Sequence, residues 1–112
     1  MFVYSKKLQY PVKIDRPNPR LAAIIISQYG GPDGELGASL RYLSQRFSMP
    51  FDEQKALLTD IGVEELGHLE MIGAIVHQLT RNLTDEQVRA DPLFASYFVD
   101  HTAGVYPTAA SG

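Results

Sequence analysis

The 112-residue chain has no cysteine and no tryptophan. Without cysteine there is no disulfide framework, no thiolate metal site and no cysteine nucleophile, so any bound metal must be held by histidine and carboxylate. Long apolar runs are also missing. The longest, Leu21 to Ile26, is too short to cross a bilayer and follows no signal-peptide arrangement, so neither a membrane partner nor secretion by the usual route is expected. A broad cationic surface is absent too, because ten Lys and Arg face thirteen Asp and Glu for a formal charge of −3. Nucleic acid is therefore not an expected partner. The charge is nevertheless uneven: residues 1–20 hold five basic side chains against Asp15 alone, about +4, leaving about −7 for the remainder. This predicts a basic arm over an acidic body. What the chain does have is a globular balance, 45% hydrophobic and 21% charged, enough for one domain or for part of one that completes its core with a partner.

Local chemistry divides the chain into an extended arm (1–18), a helical hairpin (19–82) and a short helix with an irregular tail (83–112). The arm holds Pro11 and Pro17 and only a weak alternation around Leu8 and Val12. Asn18 is a suitable N-cap, and Pro19 fits the first helical position, where its missing N–H costs nothing. Apolar residues then recur at helical spacing: Leu21, Ile24 and Ile25, and after an interruption Leu36, Leu40, Leu43 and Phe47. The interruption, Gly30-Gly31-Pro32-Asp33-Gly34, reads either as a turn between two helices or as a kink in one long helix. Ser48-Met49-Pro50 ends the segment. Asp52 is expected to cap the next helix, whose stripe runs through Leu58, Ile61, Ile72, Ile75 and Leu79 and ends near Arg81-Asn82. Thr84 and Gln87 form a capping-box pair for a third helix stopped around Asp91-Pro92.

The stripe of the second long helix has a gap between Ile61 and Ile72, and Glu65 and His68 fill it. A carboxylate at a core position requires a counter-charge or a cation. Glu-x-x-His places both side chains on one helical face, and that pair is the di-metal signature of ferritin-like bundles. Glu35 lies 12 residues before Phe47, about 18 Å of helix, and Glu65 lies 13 residues after Asp52, about 20 Å. An antiparallel hairpin around Ser48 to Phe51 thus brings the two carboxylates to one height, where they and His68 can share a cation. Taken alone, Glu35 is equally readable as solvated helix surface. Oxygen and imidazole donors without sulfur suit Mn, Fe or Zn, with Mn favoured as the carboxylate share rises. Glu64, Glu70, His77 and His101 read as surface groups. Tyr42, near the face of Glu35, is either a core aromatic or a hydrogen-bond donor to a ligand.

Several stretches together resemble the manganese catalases, in particular their short spore-coat CotJC-type members: Lys7-Leu8-Gln9-Tyr10-Pro11, Tyr29-Gly30-Gly31, Gly34-Glu35, Arg41-Tyr42-Leu43-Ser44-Gln45 and the run from Thr59 to Ile72. The resemblance covers most of residues 1–100 and corresponds to the N-terminal half of the family domain. It implies an all-α fold, an antiparallel helical hairpin that is half of a ferritin-like four-helix bundle. It implies disproportionation of hydrogen peroxide to water and dioxygen at a dinuclear manganese site, with iron as the competing metal and no organic cofactor. It assigns Glu35, Glu65 and His68 as ligands, with Glu65 bridging, and it favours a first helix running through the Gly-Gly segment. A cytoplasmic or spore-coat location follows from the same likeness.

Two Glu and one His are too few to enclose two metals. Family members continue into a second helical pair with another Glu and another His. Three expectations follow: two chains pair about a two-fold axis to give four Glu and two His; another chain supplies the second helical pair to a shortened product; or the chain is a non-catalytic coat subunit that uses the hairpin as a packing surface. An isolated hairpin exposes an apolar flank, so all three predict association.

Overall fold

A computed structural model describes residues 3–29 and 33–90. The expected stop at Asp91-Pro92, the surface reading of His101 and the irregular tail lie outside these residues. The described secondary structure is helical: α1 (Pro19–Ile25), α2 (Glu35–Gln45), α3 (Asp52–Leu79) and α4 (Asp85–Ala90), with 3-10 turns extending α1 over Ile26–Gln28 and α2 over Arg46–Ser48.

Each helix begins for a local reason. The Asn18 side chain accepts the Leu21 N–H at 3.1 Å and Pro19 occupies the first turn of α1, as the sequence predicts. At α4 the Thr84 Oγ1 accepts from the Gln87 N–H while Gln87 Oε1 accepts from the Thr84 N–H, the reciprocal capping box. The start of α3 differs from expectation. Phe51, in extended conformation, is the N-cap, and Asp52 is the first helical residue. Asp52 and Glu53 therefore act through the helix dipole rather than through a cap bond. At its other end Thr80 Oγ1 accepts no backbone donor but gives its own proton to the Val76 carbonyl, and Asn82 turns the chain away at φ 65°.

Segments α1 and α2 run antiparallel along α3. Ala22 and Ile26 meet Val76 and Leu79 in the buried core, flanked by Ile14, Ile72 and Ile75; Tyr29 lies against Gly73; Ser39 and Leu43 meet Gly62. Burial of Val76 and Leu79 contributes about 1.5–3 kcal/mol each. The first helix is not continuous, contrary to what the resemblance favours. Gly34 is extended, at φ −96° and ψ 177°, and α2 starts afresh after it. The direction along α3 survives the break, so the register of contacts is that of a single long helix.

The arm is fastened to α3 rather than loose. Gln78 accepts the Ile14 N–H at 2.7 Å and donates to the Val12 carbonyl at 2.9 Å. Arg81 donates to the carbonyls of Ile14 and Asp15, and the Asn18 N–H donates to the Leu79 carbonyl. Much of the predicted apolar stripe remains uncovered: Leu21, Ile24, Leu40 and Phe47 are exposed, Phe47 at 77%. The stripe is too wide for one neighbouring helix, as the half-bundle reading requires. Among the described residues no helix is long and apolar enough to cross a membrane.

Candidate metal centre

Two helices position three candidate ligands. Glu35 is the first residue of α2, and Glu65 and His68 stand one turn apart in the middle of α3. The crossing is close because small residues line it. The buried Ser39 hydroxyl donates to the Gly62 carbonyl at 2.8 Å, and a Cβ on Gly62 would stand 2.6 Å from Leu43 Cγ. Ser39 is one turn beyond Glu35 and Gly62 one turn before Glu65, so this contact sets the separation of the two ligand-bearing backbones. The sequence reading missed this pair. Its signal was a glycine on the inward side of α3 facing a serine among apolar neighbours.

His68 Nδ1 lies 3.4 Å from a Glu65 carboxylate oxygen and 4.0 Å from a Glu35 oxygen. One donor atom from each residue falls within 4.8 Å of the other two. The side chains are partly sheltered, with Glu65 15% exposed and the other two about twice that. Glu35 and Glu65 are close enough to share a proton. The hydrogen bond it donates to Glu65, partial burial and the neighbouring negative charge raise the Glu35 pKa above its usual value, against a smaller opposing pull from His68. Glu65 is lowered, chiefly by the hydrogen bond from Glu35 and further by His68, against some desolvation. The pair titrates as a unit.

The donor set fits a divalent ion. Ligands about 2.1 Å from one octahedral ion are about 3 Å apart when cis and about 4.2 Å when trans, and the His68 distances to the two carboxylates, 3.4 and 4.0 Å, fall in this range. A cation would also offset the mutual repulsion of the two carboxylates. Two carboxylate oxygens and an imidazole nitrogen suit manganese, iron or zinc. Tyr42 is half-buried two turns beyond Glu35. The described structure shows no hydrogen bond from it to the three ligands. His77 and Glu64 are exposed, as read from the sequence; Glu70 is half-buried and accepts a hydrogen bond from Tyr4.

An antiparallel helical hairpin with Glu-x-x-His on one helix and a Glu opposite it on the other is the arrangement of ferritin-like bundles. Residues 1–103 match the family of manganese containing catalases, and the chain belongs to that family. Protein CotJC of Bacillus subtilis (strain 168) is 52% identical over 112 residues, all of this chain and 58% of that protein. The manganese catalase of Bacillus subtilis is 39% identical over 100 residues, covering 86% of this chain and 37% of that one. The crystal structure of wild-type KatB, a manganese catalase from Anabaena, superposes with a TM-score of 0.74 at 36% identity, covering 83% of this chain and 43% of that chain. The chain thus spans well under two thirds of the length of these relatives.

Proposed function

We propose that Glu35, Glu65 and His68 bind manganese and form half of a dinuclear site that disproportionates hydrogen peroxide to water and dioxygen. The convergence of these three donors within 4.8 Å, in a chain of the manganese catalase family, carries the reading. Bound manganese supplies the redox change by which one peroxide is reduced to water and a second is oxidised to dioxygen. The chain's own residues set where this happens. Glu65 is the most sheltered of the three and lies beside both others, which suits it to bridge. His68 supplies the neutral nitrogen donor. Glu35 and Glu65, bound as carboxylates, together offset the charge of one divalent ion. Tyr42 lies on the Glu35 face two turns away and makes no hydrogen bond to the three ligands in the described structure, which suits the core-aromatic reading better than a donor role.

Four Glu and two His complete the cage when a second copy pairs about a two-fold axis, or when a second helical pair is supplied by another chain or by the remainder of a longer polypeptide. Native mass spectrometry with metal analysis of the purified chain tests this. About one manganese per chain in an even-numbered oligomer supports the two-fold cage, and a metal-free monomer overturns it. Iron in place of manganese keeps the site and changes the cofactor. Azide-insensitive oxygen release from peroxide then distinguishes an enzyme from a scaffold. The second reading, a structural subunit of a spore coat, is favoured by one observation. Leu40 and Phe47 are 56% and 77% exposed on α2, an apolar surface that could pack against a neighbouring coat subunit as well as against a second helical pair.

A further inference from the structure

The N-terminal arm meets α3 at the turns that carry two of the ligands. Gln9 Nε2 donates to Glu64 Oε1 at 3.1 Å, one residue before Glu65. The other end of the same amide, Gln9 Oε1, would lie 3.3 Å from a Cβ on Gly67, one residue before His68. The Tyr4 hydroxyl donates to Glu70 Oε1, two residues after His68. At 100° per residue, Gly67 and Glu70 lie about 160° and 140° round the helix from Glu65, so the arm bears on the back of the ligand face. Between the two anchors the chain turns at Lys6, whose φ is 54°.

This stretch of α3 needs support. Gly62, Gly67 and Gly73 fall within one helix, and each interior glycine costs about 1 kcal/mol relative to alanine. The ligands therefore sit where helical propensity is lowest, with a pair of carboxylates facing each other in front. Continuous packing does not supply the support. A groove of about 450 Å³ remains open under the arm, floored by Val63 and Leu66. Attachment is by the two polar anchors.

We propose that Tyr4 and Gln9 are positioning residues for the metal centre: the arm straps the ligand-bearing turns from behind and holds Glu65 and His68 at the spacing an ion requires. The inference rests on the manganese reading above. Partners bonded directly to a ligand are worth roughly 10–100-fold in affinity, so a strap anchored one and two residues away is expected to give about 3–10-fold. The test is titration of the full 112-residue chain with Mn²⁺ alone, followed by electron paramagnetic resonance. The combined Tyr4→Phe and Gln9→Ala variant should bind about 3–10-fold more weakly. At saturating Mn²⁺ its bound-ion spectrum should differ from that of the unsubstituted chain, which a general loss of stability would not cause. Asn18→Ala, which loosens the remote α1 cap, should leave affinity and spectrum unchanged. Full affinity and an identical spectrum in the double variant would overturn the strap while leaving the metal site standing. Loss of affinity in Asn18→Ala equal to that of the double variant would also overturn it. No Mn²⁺ binding by the unsubstituted chain would overturn the site reading, and the strap with it.

Discussion

Replacing Gly62 with alanine probes the crossing that sets the ligand spacing. The new methyl carbon would stand 2.6 Å from Leu43 Cγ, 2.8 Å from its Cδ2 and 3.3 Å from its backbone nitrogen. Ordinary contact begins near 3.4 Å, and Cγ is anchored close to the backbone, so α2 has to shift outward by about 1 Å. Two effects compete. Alanine improves helix propensity by about 1 kcal/mol, whereas forcing a methyl group into a packed crossing costs about 1–3 kcal/mol. The shift also stretches the Ser39 bond to the Gly62 carbonyl, about 0.5–1.5 kcal/mol more. Destabilisation wins by about 0.5–3.5 kcal/mol, or roughly 2–15 °C in Tm. Because Glu35 sits on the displaced helix and Glu65 on the other, Mn²⁺ affinity should fall in the same variant. Thermal and urea unfolding of the metal-free chain, with Mn²⁺ titration alongside, would measure both. Adding Leu43→Ala should recover part of the steric loss. A Gly62→Ala chain as stable as the parent, with unchanged affinity, would refute the argument.

Further outcomes follow from the site and the caps. Glu65→Gln and His68→Ala should each abolish manganese binding and peroxide turnover, as read by metal analysis and oxygen release; full activity in either removes the ligand assignment. For the metal-free chain, stability from Glu35, whose pKa is raised, is present at low pH and lost as pH rises through that raised value. Stability from Glu65, whose pKa is lowered, is present at higher pH and lost as pH falls through its lowered value. The pair therefore favours the fold most in mildly acidic solution, where it holds one proton, and less at neutrality. Urea midpoints across pH should show this, and Glu35→Gln should flatten the neutral-side decline. Asn18→Ala removes the acceptor for the Leu21 N–H and should cost about 1 kcal/mol in chemical denaturation.

Wherever one side chain or one spacing carried the information, the sequence was enough. Asn18-Pro19 and Thr84–Gln87 announced helix starts, and equal chain lengths either side of Ser48 to Phe51 brought Glu35 level with Glu65 and His68. Features that depend on two segments meeting were harder to read. Ser39 against Gly62 has no one-dimensional signature beyond small residues at inward positions. The attachment of the arm through Gln78 and Arg81 joins residues more than 60 positions apart, and nothing in their local chemistry marks the partners. Periodicity marked Leu21, Ile24, Leu40 and Phe47 as inward, yet they are exposed, because hydrophobic spacing records every surface a helix buries in its final assembly and not only those within one hairpin. The first helix was legible as a choice between a turn and a kink, and extended Gly34 decides for a new helix start.

That helix start has a consequence for how the donors come together. Glu65 and His68 stand one turn apart in the interior of a 28-residue helix, which puts both side chains on one face. Glu35 opens a helix behind an extended glycine, so its placement depends on a junction and not on a rod. In the proposed site, two donors are thus spaced by one helix and the third by the junction ahead of α2. A change at Gly34 would therefore be felt first at Glu35, weakening the proposed site from one side only.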